Sequence, residues 1–228
     1  MVGQKKLNMP SQTEENYLKS LYALSNTAKG VNASELSTLL GVRLPTVNSM
    51  VKNLKRQGLV NYEKYKPISL TGKGKKAAAL VLRKHRLTEM FLVDKMGFGW
   101  EEVHDIAEQV EHINSSVFFE RMDELLGFPK FDPHGSPIPD KNGKISREYK
   151  LRLSDCNPGD NVRLAALSHD SSDFLKFLDN NELKLGTGLQ IISVEAFDNS
   201  MVVSYKNHSS TMFSKVVCDR LLVEPLDE

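Results

Sequence analysis

Apolar positions in the first sixty residues recur at helical spacing, and short polar breaks divide them into three predicted helices. The first, "TEENYLKSLYAL", follows Ser11 and Glu14, which have the spacing of a capping box. The second, "VNASELSTLL", has Asn32 or Ser34 as its cap and stops at Gly41. The third, "LPTVNSMVKNLKRQ", begins with a proline in its first turn. Helix, glycine turn and helix predict a helix-turn-helix.

The pattern then changes from helical spacing to strict alternation. The segments "LVNYEKY" and "ISLT" alternate apolar and polar positions on either side of "KP", which predicts a β-hairpin. A hairpin directly after the third helix forms a wing that can grip the DNA backbone while the helix enters the major groove. We therefore expect residues 1–72 to form a winged helix-turn-helix DNA-binding domain.

Dense apolar positions from Lys73 to Met96 predict one long helix that packs on several partners. A further helix is expected from Trp100 to about Val117, and "FFERMDELLGF" is an apolar segment that we expect to pair across a dimer. Residues 129–148 hold four of the nine prolines, which indicates a linker or an irregular arm. Residues 73–147 are thus predicted to be a helical dimerisation domain.

Residues 148–228 have a different pattern, in which short alternating strands surround one short helix, "SSDFLKFLDNN". Short strands at this spacing indicate a small barrel. The fold class expected for the whole chain is therefore mainly α with a small β domain (α+β).

Charge is unevenly spread along the chain. From Arg43 to Lys76 nine basic residues accompany one acidic residue, a net of +8 where the whole chain has only +1. Such a segment suits phosphate, although a solvated lysine face would look the same. Candidate base contacts are Pro45, Thr46, Asn48 and Ser49, and candidate phosphate contacts are Arg43, Lys52, Lys55, Lys64 and Lys66.

Several classes of protein find little support in the sequence. Cys156 and Cys218 have no metal-ligand spacing and indicate two buried thiols in a reducing cytoplasm. No apolar run approaches the length of about 18 residues that a membrane span needs, and the N-terminus does not look like a signal peptide. Zincin, nucleophile-elbow, Walker A and dinucleotide motifs do not occur, so we expect no enzyme.

The segment "HDIAEQVEHIN" places His104, Glu108, Glu111 and His112 on one helical face. Taken alone, this face is expected to be solvated, because the apolar residues of the same helix cluster opposite, at Val103, Ile106, Val110, Ile113 and Val117. The preceding helix also carries an imidazole and a carboxylate one turn apart, in His85 and Glu89. Two such faces packed together could supply about six ligands for Mn²⁺, Fe²⁺, Co²⁺ or Zn²⁺.

With these residues the chain resembles the DtxR/MntR family of metal-dependent transcriptional repressors. The winged-helix segment with its "PTV" opening, the segments "RKHRLTE", "VHDIAEQVEH" and "GSPIP", and the C-terminal SH3-like region all contribute to the resemblance. It covers nearly the whole chain and implies a homodimer that binds palindromic double-stranded DNA when loaded with metal.

The resemblance implies two neighbouring metal sites. Glu108, Glu111 and His112 match the activating site, and His85, Glu89 and His104 match the other site or bridge the pair. Glu108 stands where the iron type has a cysteine, and a hard oxygen ligand favours Mn²⁺ over Fe²⁺.

In the manganese type the first helix supplies an aspartate and a glutamate, and here those positions are Asn16 and Lys19. An asparagine oxygen can bind a metal, whereas a lysine ammonium cannot. The C-terminal domain of long members also donates a glutamate and a glutamine, which Ala165 and Ser168 replace here, with His169 and Asp170 as neighbouring substitutes. Two other histidines, His134 and His208, are expected to lie in surface loops.

The function that the resemblance implies is a repressor of metal-ion uptake genes, located in the cytoplasm and loaded with one or two Mn²⁺ or Fe²⁺ ions per subunit. Two alternatives remain open from the residues alone. One is a winged-helix regulator that needs no metal, and the other, with less support, is a di-metal enzyme.

Overall fold

The computed structural model describes residues 10–25, 30–64, 66–146 and 150–226. These residues form two compact units. The N-terminal unit comprises Met1–His85, Glu108–Ser116 and Pro139–Ile145, and the C-terminal unit comprises Arg86–Ala107, Val117–Ile138 and Ser146–Glu228.

The winged helix-turn-helix forms as its capping signals predict. Its elements are α1 (Gln12–Leu24), α2 (Ala33–Leu40), α3 (Leu44–Arg56), β1 (Val60–Asn61) and β2 (Ser69–Leu70). Ser11 and Glu14 make the expected capping box, and α2 has Asn32 as its N-cap and Gly41 as its C-cap, where a φ of 62° suits glycine. The two strands pair antiparallel to form the wing.

One apolar core holds these elements together. It includes Leu18 from α1, Leu36 from α2, Val51 and Leu54 from α3, and Ile68 beside the wing, all of them buried. The elements are therefore positioned by ordinary burial of aliphatic surface, which contributes about 25 cal/mol for each Å² removed from water.

A long helix, α4 (Gly72–Met96), follows the wing as predicted. Gly74, in its first turn, packs against the wing so closely that a Cβ atom there would lie 1.9 Å from the Leu59 carbonyl oxygen. Only glycine fits this contact, so the start of α4 is fixed against the wing.

The next helix is shorter than predicted. Instead of Trp100 to Val117, α5 covers only His104–Val110, a turn follows at 111–112, and a new helix, α6, covers Ser116–Leu125. Asn114 and Ser115 lie between the two helices, and their side chains compete with helical hydrogen bonds, which favours a break there.

The polar face predicted to be solvated is also partly wrong. Glu111 has no exposed surface, whereas the apolar Ile113 and Val117 are 41% and 64% exposed. Val103, on the predicted apolar side, is buried as expected, and Ile113 and Val117 are exposed because α5 ends at Val110, before either of them. Glu111 departs from the predicted pattern because a buried carboxylate with partners looks, in sequence, like a solvated one.

The C-terminal unit is built on a six-stranded antiparallel sheet in the order β3-β8-β4-β5-β6-β7. Its elements are β3 (Leu151–Arg152), β4 (Asn161–Leu167), α7 (Ser172–Asn180), β5 (Gly188–Val194), β6 (Met201–Tyr205), β7 (His208–Phe213), α8 (Lys215–Cys218) and β8 (Leu221–Pro225). The predicted fold class, mainly α with a small β domain, is confirmed.

Residues 130–138 form an ordered arm rather than a loose linker. Gly135 has a φ of +81° and approaches β4 so closely that a Cβ atom would lie 2.4 Å from the Ala165 carbonyl oxygen. His134, expected at the surface, is only 1% exposed. The expectation for His134 is wrong because this irregular arm packs closely against β4, which buries side chains that its proline and glycine content would place in a surface loop.

Cys156 and Cys218 are buried free thiols, as expected. Within the described ranges, none of the helices combines the length and apolar character that crossing a bilayer requires.

Candidate metal centre and DNA-binding surface

Glu111 lies at the centre of a buried cluster in the N-terminal unit. His85 of α4 places its Nδ1 atom 2.6 Å from Glu111 Oε2. Lys19 of α1 places its Nζ atom 2.8 and 3.0 Å from the two carboxylate oxygens of Glu111, and it also donates to Glu108. Because a carboxylate only accepts, His85 carries its proton on Nδ1 in this pair.

These neighbours determine the charge of Glu111. Burial raises the pKa of Glu111, but the hydrogen bond from His85 and the positive charge of Lys19 outweigh that effect and bring the pKa below its ordinary value. Glu111 is therefore a carboxylate at neutral pH, which is the form that a metal ion binds.

His112, in the turn after α5, is oriented by a carboxylate from α1. Its Nδ1 atom lies 2.6 Å from Glu15 Oε2 and donates to it. In the neutral ring this leaves the lone pair on Nε2, which is buried, lies 3.6 Å from Glu111 Oε1 and has no hydrogen-bond partner among the described residues. A histidine held by a carboxylate through one nitrogen, with the other nitrogen unprotonated, has the arrangement typical of metal ligands.

Asn16 Oδ1 is also buried and lacks a hydrogen-bond partner within the described part of the chain. An amide oxygen and an imidazole nitrogen are both neutral ligands that divalent cations accept. Ligand atoms of His85, Glu108 and Glu111 lie within 4.8 Å of one another, close enough to share one ion. The donor set of this cluster therefore fits a divalent cation. The cluster also contains a group that cannot bind a metal ion, the Lys19 ammonium.

A second pair lies in the C-terminal unit, where His104 Nδ1 is 3.3 Å from Glu89 Oε1. The His104 side chain is half exposed, whereas Glu89 is buried. Glu89 also belongs to a fully buried group with Asp132 and His134, whose ligand-type atoms lie within 4.8 Å of one another.

This second group is held by the arm itself. Asp132 Oδ1 accepts hydrogen bonds of 2.9 Å from the backbone N–H groups of His134 and Ser136, and Asp132 Oδ2 lies 3.3 Å from Arg86. Burial and the charge of Glu89 raise the pKa of Asp132 to about 6. His134 donates from Nε2 to the Trp100 carbonyl oxygen at 2.9 Å.

The C-terminal positions considered as further ligands do not join either cluster. His169 and Asp170 are exposed, and the candidate ligand groups found among the described residues contain neither of them. Ser168 hydrogen-bonds to backbone carbonyls at the end of the sheet, and Ala165 lies on β4.

The candidate DNA contacts lie on α3, just before it, and on the wing. Thr46, Ser49 and Pro45 are exposed, whereas Asn48 is partly buried and accepts a long hydrogen bond of 3.4 Å from Tyr62. The basic candidates are also exposed: Arg43, Lys52, Lys55, Lys64 and Lys66. Lys66 is paired with Glu63 at 2.5 Å, and both side chains of this pair are exposed.

Sequence reasoning undervalued two residues of the cluster, Glu15 and Lys19. Both face the cluster from α1, where a spacing of four residues places them on one side of the helix. The signal is present in that spacing, but the family resemblance points to Asn16 and Lys19 on this helix, and to Lys19 only as a residue that cannot bind metal.

The fold and the site define a winged-helix transcription regulator with a buried cluster of carboxylates and imidazoles. Two family models match, one for the N-terminal DNA-binding domain of iron-dependent repressors at residues 9–68 and one for their metal-binding and dimerisation domain at residues 71–140. The chain belongs to the iron-dependent repressor family.

Three relatives illustrate the family. The iron-dependent repressor IdeR of Mycobacterium tuberculosis is 36% identical over 133 residues, 58% of each chain, so the match spans little more than half of that relative. The diphtheria toxin repressor of Corynebacterium efficiens is 30% identical over 75% of this chain and 72% of its own. A manganese-dependent transcriptional repressor, solved with manganese, is 30% identical and covers 93% of this chain and 100% of its own, with a TM-score of 0.84.

These three relatives are named as repressors, in agreement with the predicted class of regulator. Their names include both iron and manganese, so they leave the metal of this chain to be argued from its own residues.

Proposed function

We propose that this chain is a metal-dependent repressor that binds operator DNA as a homodimer in the cytoplasm and controls genes for metal-ion uptake. The observation that carries the proposal is the single buried cluster to which α1, α4 and the segment around the end of α5 all contribute side chains. Because α1 also packs in the core under α3, the cluster is joined to the helix that would read DNA.

The residues that would hold the ion are His85, Glu108, Glu111, His112 and Asn16, and we assign Glu89 and His104 to a second ion. A bound divalent cation would supply the positive charge that these carboxylate, imidazole and amide groups coordinate together. Glu15 keeps the Nε2 lone pair of His112 available, and the pKa of Glu111 keeps that carboxylate ionised.

The connection from the cluster to the DNA surface runs through α1. Near its start, the Glu14 carboxylate accepts a hydrogen bond of 2.6 Å from Asn53 and another from Gln57, at the end of α3. A ligand can favour the DNA-competent form only by binding that form more tightly. Residues of α1 that contact the cluster would provide this difference in metal affinity between the two forms, because the hydrogen bonds of Glu14 hold α1 against the end of α3.

The chemistry of Glu108 favours manganese over iron. Its side chain is about one-third exposed and offers a hard carboxylate oxygen, which suits Mn²⁺, whereas a thiolate would suit softer ions. We therefore propose Mn²⁺ as the preferred activator and Fe²⁺ as the second choice.

The experiment is a set of operator-binding titrations with Mn²⁺, Fe²⁺ and Zn²⁺, on DNA selected from a random duplex library by the Mn²⁺-loaded protein. Wild type should bind most tightly with Mn²⁺, and Glu108→Cys should shift the preference toward Fe²⁺ or Zn²⁺ by about tenfold. Glu195→Cys, at an exposed position of the C-terminal unit, is the matched control for an added thiol. An unchanged metal order in Glu108→Cys would refute the role given to Glu108, and DNA binding that ignores both chelator and metal would refute the function.

A further inference from the structure

The Lys19 ammonium occupies the middle of the proposed metal centre. We propose that Lys19 is a tethered cation that competes with the divalent ion for Glu108 and Glu111, so that metal binding requires the ammonium to leave. The inference rests on the proposed function and adds a regulatory element to the same site.

The geometry shows how completely Lys19 is engaged. An ammonium has three N–H donors, and Lys19 Nζ has three carboxylate oxygens within hydrogen-bond distance, one from Glu108 and both from Glu111. The lysine side chain is 18% exposed and that of Glu111 is fully buried, so water screens this pair poorly. Lys19 therefore neutralises the carboxylates much as a bound cation would.

The two cations exclude each other for electrostatic and steric reasons. A metal ion binds carboxylate oxygens at about 2.0–2.6 Å. Both oxygens of Glu111 already accept hydrogen bonds, Oε1 from Lys19 and Oε2 from Lys19 and His85. A divalent ion placed there would meet the ammonium at a few ångströms with like charge. The four-carbon stem of lysine is flexible enough to swing the ammonium into water, which gives the metal a route into the site.

Lys19 also ties α1 to the α5 segment without any metal. The protein would therefore have a metal-free form in which α1 is already docked, and it would respond only to metal concentrations high enough to displace the lysine. Removing the ammonium should raise metal affinity and make the docking of α1 depend more strongly on metal.

The first test measures Mn²⁺ binding by calorimetry on the full chain. Lys19→Met and Lys19→Gln should bind Mn²⁺ at least tenfold more tightly than wild type, whereas Lys19→Arg, which keeps the charge, should stay within about threefold. Lys95→Met is the matched control, because Lys95 is an exposed lysine paired with Asp94 on α4. Equal or weaker Mn²⁺ affinity in both neutral variants would overturn the proposal.

The second test needs no substitution and reports displacement directly. Lysine acetylation of wild type, read by mass spectrometry, should leave Lys19 protected without metal and several-fold more reactive with saturating Mn²⁺, while Lys95 reacts alike in both. Protection of Lys19 that persists at saturating Mn²⁺ would overturn the proposal even if a variant fails to fold. If wild type binds Mn²⁺ but the Lys19 variants bind it no more tightly and Lys19 stays protected, only this inference fails. If neither wild type nor any variant binds Mn²⁺ or Fe²⁺, the proposed function fails with it.

Discussion

Each of the two units contains a cluster of buried carboxylates and imidazoles, and the clusters differ in where their partners come from. In the N-terminal unit the partners of Glu111 are side chains from α1 and α4, distant in sequence. In the C-terminal unit Asp132 is held mainly by backbone N–H groups two and four residues further along the same arm. Both contain atoms of the type that binds metals, and α4 contributes to both, through His85 in the first and Glu89 in the second. The first cluster also includes side chains of α1, the helix that packs with α3.

The difference indicates what each cluster does. Asp132 and His134 shape their own arm, because their hydrogen bonds close a local turn and reach the Trp100 carbonyl oxygen. The cluster around Glu111 joins segments that could otherwise move apart, and it leaves His112 Nε2 without a hydrogen-bond partner among the described residues, as the second cluster leaves His134 Nδ1. Buried polar atoms are costly when unpaired, so each cluster keeps a nitrogen that a ligand could satisfy, and the first differs in tying α1 to the segment after α5.

The strongest test of this contrast is Glu111→Ala. It leaves Lys19 and His85 facing a buried vacancy, and we expect a loss of about 3–5 kcal/mol in the free energy of unfolding, together with loss of measurable Mn²⁺ binding. Urea unfolding and calorimetry measure the two effects. Glu108→Ala is the matched control: its partly exposed carboxylate should cost far less stability yet still weaken Mn²⁺ binding. Similar stability losses in the two variants would contradict the central position given to Glu111.

The cluster around Asp132 should be detectable through the pH dependence of stability rather than through metal binding. The pKa of Asp132 is about 6 in the folded protein and near 3.8 ordinarily, so the folded state binds more protons than the unfolded state between these values. Stability should therefore fall as pH rises from about 4 to about 6, by about 3 kcal/mol at 1.4 kcal/mol per unit. Urea unfolding across this range should show the slope in wild type and lose most of it in Asp132→Asn.

Asp140→Asn provides the comparison for this measurement. Asp140 is exposed, and backbone hydrogen bonds from Lys144 and Asn142 lower its pKa, so its effect lies below pH 4. An equal change of slope between pH 4 and 6 in both variants would show that Asp132 is not the group responsible.

A smaller effect is expected from Glu15→Gln. The substitution keeps the size of the side chain but weakens its hold on His112 Nδ1, and partners of this kind are typically worth 10–100-fold in metal affinity. We expect about a tenfold weaker Mn²⁺ affinity by calorimetry. Glu14→Gln, one residue earlier but turned toward α3, should leave the Mn²⁺ affinity unchanged. Equal losses of Mn²⁺ affinity in Glu15→Gln and Glu14→Gln would show that the contact of Glu15 with His112 does not support metal binding.

Local signals made the winged helix predictable, and tertiary pairing made the site less so. The Ser11–Glu14 capping box, Gly41 and the long apolar pattern of α4 each act within a few residues, so they are readable without knowing the fold. The burial of Glu111 and the role of Lys19 depend on partners 26 and 92 residues away. A charged side chain that finds its partner across such a distance has the same sequence pattern as a solvated one.

The contact of Glu14 with α3 has a consequence for anyone who exchanges parts of this protein with a relative. Glu14 lies five residues before Lys19, about 7.5 Å along α1. At one point α1 is bonded to the cluster and at the other to Asn53 and Gln57. A chimera that transplants α3 alone to change the DNA sequence recognised would break the second set of bonds and uncouple recognition from sensing. The smallest exchangeable module is therefore α1 through α3, moved as one piece.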